Sequence, residues 1–123
     1  MVAKANRDAT SEFFDALAKR GHEPLLKSAT GTLRFDLRNG RRVEHWYVTV
    51  SKGDVAVSRK NAEADAVVRT DKALFDGMAT GKVNTMAAVL RGVLGVEGDL
   101  GLIISFQRLF PGPPGSRRGG RKR

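Results

Sequence analysis

The sequence contains no cysteine, which excludes disulfide staples and thiolate metal centres together. Histidine is nearly as scarce: only His22 and His45 occur, and they lie too far apart in the chain to share one helical face. No Gly-x-Ser-x-Gly turn is present, so a triad has neither a thiol nor a strained serine to recruit. No apolar run approaches the roughly 20 residues needed to span a bilayer. The opening MVAKANRDATSEFF lacks the uninterrupted apolar stretch of a secretory signal. These absences lead us to expect a cytoplasmic protein. At 123 residues the chain has single-domain length and can bury a core of its own.

Basic residues outnumber acidic ones, for a formal charge of +9. Five of them (Arg117, Arg118, Arg121, Lys122, Arg123) stand at the very end, and the remainder holds 17 basic against 13 acidic residues. The excess is therefore concentrated in GPPGSRRGGRKR, a segment too poor in apolar groups to offset chain entropy. We expect residues 112–123 to form a disordered basic tail. It suits weak contact with an anionic membrane surface or another polyanion. Residues 1–9 are read as an N-terminal extension.

Between them the hydrophobic period changes several times. Asp8 or Thr10 can cap a helix through Arg20, stopped by Gly21, with Phe13, Phe14 and Leu17 as its stripe. From Thr32 the period becomes two: Leu33, Phe35 and Leu37 alternate with charged residues up to Asn39-Gly40, a hairpin signal. A turn on those two residues pairs Leu37 with Arg42, Phe35 with Glu44 and Leu33 with Trp46, placing Trp46, Val48 and Val50 on the face of Leu33 and Phe35. His45 falls on the opposite, solvated face. Lys52-Gly53 leads to a third strand at Val55 and Val57, Arg59 to Glu63 is a polar loop, and Ala66 to Thr70 is a fourth strand. Asp71 caps a helix carrying Leu74, Phe75 and Met78 that stops at Gly81. Asn84 caps a short helix stopped at Gly92, Val93 to Glu97 is a fifth strand, and Asp99 caps a last helix ended by Pro111.

That last run, Leu100 to Phe110, holds seven large apolar residues in eleven, and its polar stripe is only Gly101, Ser105 and Arg108. A surface helix needs one apolar stripe, so this one must bury two faces. A dry core, a dimer contact or a cavity filled by an apolar ligand would each provide the second cover. Other motifs carry less. Gly77 to Val83 has three residues between its glycines and Val after Lys, which breaks the phosphate-loop pattern. Glu97 and Asp99 are two apart, but capping accounts for Asp99. Ser105 sits mid-helix as spacing. No metal, cofactor or catalytic residue is expected.

The block Gly81-Lys82-Val83-Asn84, Met86-Ala87-Ala88, Gly92 and Leu94-Gly95-Val96-Glu97-Gly98-Asp99 resembles the sterol carrier protein type two domain, also called the non-specific lipid-transfer domain. Trp46 and Thr70-Asp71 are also similar. The likeness runs from about Thr10 to Pro111, and residues 10–111 are taken as the domain. It implies an α+β fold: a five-stranded, largely antiparallel sheet, covered on one face by helices and enclosing an apolar tunnel. It implies a non-enzymatic carrier of a fatty acid, fatty acyl-CoA or sterol-like ligand, of the kind bacterial stand-alone members represent. The family often has Pro after the Asn where this chain has Thr85, and the ending Arg-Lys-Arg lacks a peroxisomal signal. The tunnel is expected between Trp46 and Val48 of the sheet and Leu74, Phe75, Met78, Met86, Leu90, Ile103, Phe106 and Phe110 of the helices. The alternatives are a closed-core module that docks or dimerises through the last helix, or a polyanion binder acting through the tail. The chain is read as a monomer or homodimer.

Overall fold

The computed structural model describes residues 8–111. The expected basic tail and most of the N-terminal extension lie outside them. Helix α1 (Ala9–Arg20) starts where the Asp8 carboxylate accepts from the Ser11 amide and ends at Gly21 in the left-handed region, as its capping signals dictate. A 3-10 turn (Pro24–Leu26) follows. Then come β1 (Thr30–Asn39), β2 (Arg42–Ser51), β3 (Asp54–Ser58) and β4 (Ala66–Asp71), α2 (Lys72–Thr80), α3 (Thr85–Leu90), β5 (Gly95–Gly98) and α4 (Leu100–Gln107).

The five strands form one sheet in the order β3-β2-β1-β4-β5. Three pairings are antiparallel, while β1 and β4 run parallel at the centre. The β1–β2 register differs from the expected one. Asn39 pairs with Arg42, Phe35 with Trp46 and Leu33 with Val48. The turn is therefore Gly40-Arg41, with Gly40 at φ 68° in its first central position. Only that central residue has positive φ, the pattern of a II′ rather than a I′ turn. The partners have slipped by two residues, one full side-chain period, so every residue keeps its face.

Other boundaries shift for local reasons. Strand β5 starts at Gly95 rather than Val93, because the Val93 amide is spent on the Ala88 carbonyl at the end of α3. Asp71 stands before α2 without a side-chain cap bond; its carboxylate takes the Arg38 guanidinium at 2.9 Å instead.

The helices cover one face of the sheet in two groups. Helices α1 and α2 lie against each other, tied by the buried Thr10, whose amide and hydroxyl both donate to Asp76 Oδ1 at 2.9 and 2.5 Å. Phe14 stacks on Trp46 at 4.5 Å and on Phe75 at 5.3 Å between ring centres, filling the space over β2 and β1. Helix α4 packs against β1, β4 and β5. On the opposite face the 59–65 segment covers part of β2, where the Tyr47 hydroxyl donates to the Glu63 carbonyl at 2.8 Å; on the helix-covered face Arg59 lies 4.0 Å from the Trp46 ring centre.

Candidate functional site: an apolar cavity under the last two helices

The β1–β4–β5 half of the sheet is not sealed as the other half is. A cavity of about 240 Å³ opens there, with Leu33, Phe35, Val68 and Val96 on the sheet side and Leu94 at the edge. Met78 of α2 closes one end. Thr85, Met86, Val89 and Leu90 of α3 form one wall, and Leu100, Ile103, Ile104, Phe106 and Gln107 of α4 form the other, with Phe110 beyond.

A tight crossing sets the position of α4. Gly98 has φ 90°, and a Cβ there would collide with the Asp65 carbonyl oxygen. The Asp99 amide donates to that same carbonyl at 2.8 Å, and the Asp99 carboxylate accepts from the Leu102 amide at 3.1 Å. Asp65 is itself anchored to β1, accepting the Thr32 amide at 3.0 Å. The helix so launched divides its apolar residues as its composition requires. Leu102, Ile103 and Phe106 are buried, while Leu100 and Ile104 remain exposed at the cavity's edge. The wall made by α3 is slighter. Asn84 caps it through the Ala87 amide at 2.9 Å, but only Thr85 and Ala88 of its six residues are buried.

All six phenylalanines of the chain form the partition between this cavity and the dry core. Phe35, Phe106 and Phe110 face the cavity. Behind them Phe35 meets Phe14 and Phe75, and Phe110 lies stacked on Phe13 at 4.7 Å and edge-on to Phe75. Six of the ten residues named from the sequence therefore line the cavity: Met78, Met86, Leu90, Ile103, Phe106 and Phe110. The other four do not. Trp46, Val48 and Phe75 are buried in the core, and Leu74 packs at its margin. The reason is the helix overhead, since α1 and α2 fill the space over β2.

Sequence reasoning did not name Leu33, Phe35, Val68, Val96 or Ile104 for the cavity. Their inward parity was readable, but which helix lies above each strand was not. Chemically the lining is nearly inert. It contains no ionisable side chain, and its polar members are Thr85 and Gln107. The Thr85 hydroxyl is buried with no hydrogen-bond partner among the described residues.

The titratable groups are gathered elsewhere. On the far face of the sheet Arg34 donates twice to Asp36, at 2.9 and 3.0 Å, and His45 Nδ1 lies 2.8 Å from the same carboxylate. His45 is thus part of a half-buried network rather than free in solvent. Burial, the largest influence, pushes the Asp36 carboxyl up, but the hydrogen bonds from Arg34 and His45 outweigh it and hold it below its ordinary range. His22 pairs with Asp54 at 2.8 Å on an exposed edge. No cluster of potential metal ligands occurs among the described residues.

A mixed sheet of this order, backed on one face by helices and roofed at one end over an apolar cavity, defines an α+β domain with an apolar pocket between sheet and helices. The chain belongs to the SCP-2 sterol transfer family, whose family model matches residues 13–111. Hydroxysteroid dehydrogenase-like protein 2 of Xenopus laevis is 29% identical over 101 residues, covering 80% of this chain and 24% of the frog protein. The chain thus spans about a quarter of the length of the curated relatives it matches. Among solved structures, the apo form of Sterol Carrier Protein 2 from Yarrowia lipolytica aligns with a TM-score of 0.66 at 21% identity, over 82% of this chain and 88% of the yeast one. Sterol Carrier Protein-2 from Aedes aegypti, solved in complex with the C16 fatty acid palmitate, aligns with a TM-score of 0.64 at 19% identity, over 83% and 94% of the two chains. At these identities the two structures establish the fold.

Proposed function

We propose that this chain is a non-enzymatic cytoplasmic carrier of a single-chain apolar lipid, a fatty acid or its acyl derivative, held in the cavity beneath α3 and α4. The observation that carries the reading is a lining of sixteen residues with no charge and two polar members. Such a surface gains by excluding water and offers a reacting group nothing to work with. The volume of about 240 Å³ is at the small end for organic-ligand cavities. A slender acyl chain threads it by displacing side chains of the lightly packed α3, whereas a rigid fused-ring sterol needs the helix itself to move. The palmitate of the mosquito protein agrees with that preference. Few polar contacts mean loose head-group selectivity.

The test is native mass spectrometry of protein purified from its host, followed by titration with a fluorescent fatty acid and displacement by unlabelled palmitate and by cholesterol. We expect saturable binding, displaced more readily by palmitate than by cholesterol. Absence of both co-purifying lipid and saturable displacement refutes the proposal.

A further inference from the structure

The opening of the cavity is itself an unusual surface. Three of its lining residues are also among the most exposed large apolar side chains: Leu90 at 80%, Leu100 at 46% and Ile104 at 49%. Leu100 and Ile104 stand one turn apart on α4, and Leu90 ends α3. A contiguous apolar edge of this kind is not left in water without a partner.

The charge around it says which partner. Between Gly77 and Val96, and again from Leu100 to the end, the chain contains no acidic residue. The two acids in between are both engaged: Glu97 pairs with Arg69 at 3.0 Å, and Asp99 caps α4. Lys82 before α3, Arg91 directly after Leu90, and Arg108 after α4 are exposed. They make no ion pair among the described residues. The residues after Pro111 add five more basic side chains. Exposed apolar side chains carried by segments whose exposed charges are unpaired cations match the headgroup boundary of an anionic bilayer. A second copy of the chain fits less well, because a self-complementary contact would set these cations against their own kind.

We infer that the rim formed by Leu90, Leu100 and Ile104, on the segments that also carry Lys82, Arg91 and Arg108, docks on an anionic lipid bilayer. This seats the opening of the cavity against the membrane. The inference goes beyond ligand binding and does not need the cavity to be occupied.

The full chain is sedimented with vesicles of phosphatidylcholine and with vesicles of phosphatidylcholine mixed with phosphatidylglycerol. We expect binding to the mixed vesicles only, weakening as salt rises. Leu90→Glu removes an apolar contact and adds a repelled charge, and lowers vesicle affinity about tenfold or more. Leu25→Glu, the same exchange at a 43% exposed site outside the cavity, leaves it unchanged. Arg91→Glu lowers vesicle affinity but keeps fatty-acid binding in detergent-free solution, which separates docking from ligand uptake. Three results overturn the inference: equal vesicle binding by wild type and Leu90→Glu, an equal loss in Leu25→Glu, or light scattering that shows a dimer split by Leu90→Glu with vesicle binding unaffected. The last would assign the rim to a second copy.

Discussion

An apolar cavity is wall surface that the chain's own side chains leave unpacked, and a larger side chain that fills part of it should add stability. Val96→Phe tests this directly. Val96 sits in β5 with its side chain on the cavity floor opposite α3 and α4, and an aromatic residue suits a strand as well as valine does. The larger side chain buries the equivalent of roughly two more methylenes in existing space, for a gain of about 1–1.5 kcal/mol. For a chain of this length the melting temperature should rise by about 3–5 °C. The same ring occupies the path of an acyl chain.

Thermal unfolding followed by circular dichroism, with and without palmitate, therefore has a specific ordering. Ligand at a hundredfold excess over Kd adds about 2.7 kcal/mol to the wild type, so wild type with palmitate should melt highest. Val96→Phe without lipid should melt above the lipid-free wild type, and palmitate should barely move it. A variant that melts lower than wild type and still shifts with palmitate would show that the cavity is already closed by its neighbours and that lipid sits elsewhere.

Gly98→Ala places a side chain at φ 90° against the Asp65 carbonyl. It should cost more than about 2 kcal/mol in urea titration and weaken fatty-acid binding, because the carbonyl that it strikes also fixes the Asp99 amide. Thr85→Val removes a buried hydroxyl without a partner among the described residues. Stability should stay level or rise by up to about 1 kcal/mol, palmitate affinity should not fall, and a clear loss of stability would reveal a partner for that hydroxyl. Asp36 is held below its ordinary 3.8, so its contribution is present above about pH 4 and disappears as pH falls through the lowered value. Asp36→Asn should lower stability at neutral pH by about 1–3 kcal/mol and flatten the acid limb of the stability profile. An unchanged limb would remove Asp36 as its source.

The elements were legible because punctuation and period agreed along most of the chain. Asp8 and Gly21, Asn84 and Asp99 delimit helices by chemistry that acts within a few residues, whereas the last helix ends at Gln107, short of the Pro111 stop the sequence suggested. The alternation from Leu33 to Val50 fixes faces, and it survived a register slip of two because the period of a strand is two. What the sequence did not disclose was order across the sheet. The parallel β1–β4 pairing joins Leu33–Arg38 to Ala66–Asp71 across a long connection, and no local signal states which earlier strand a fourth strand joins.

Six of the ten residues named from the sequence line the cavity and four do not, for one physical reason. A residue that faces a cavity and a residue that faces a dry core obey the same pattern, since both leave water. Trp46 and Phe35 share a face and pair directly across β2 and β1, yet Phe14 covers one at 4.5 Å while the other looks partly into the cavity. The difference lies in the helices above. Helix α1 supplies two consecutive phenylalanines, and α2 adds Phe75 behind them, enough aromatic volume to fill the space over β2. Helix α3 supplies Thr85, Met86, Val89 and Leu90, of which only Thr85 is buried. The surplus on α4 is thus not an excess looking for a core. Leu102 and Phe106 complete the packing against the sheet, and Leu100 and Ile104 are left for whatever occupies or covers the opening. Replacing Leu90 of α3, the most exposed residue of the same opening, separates rim from packing, because its loss removes surface from the rim without unpacking the sheet.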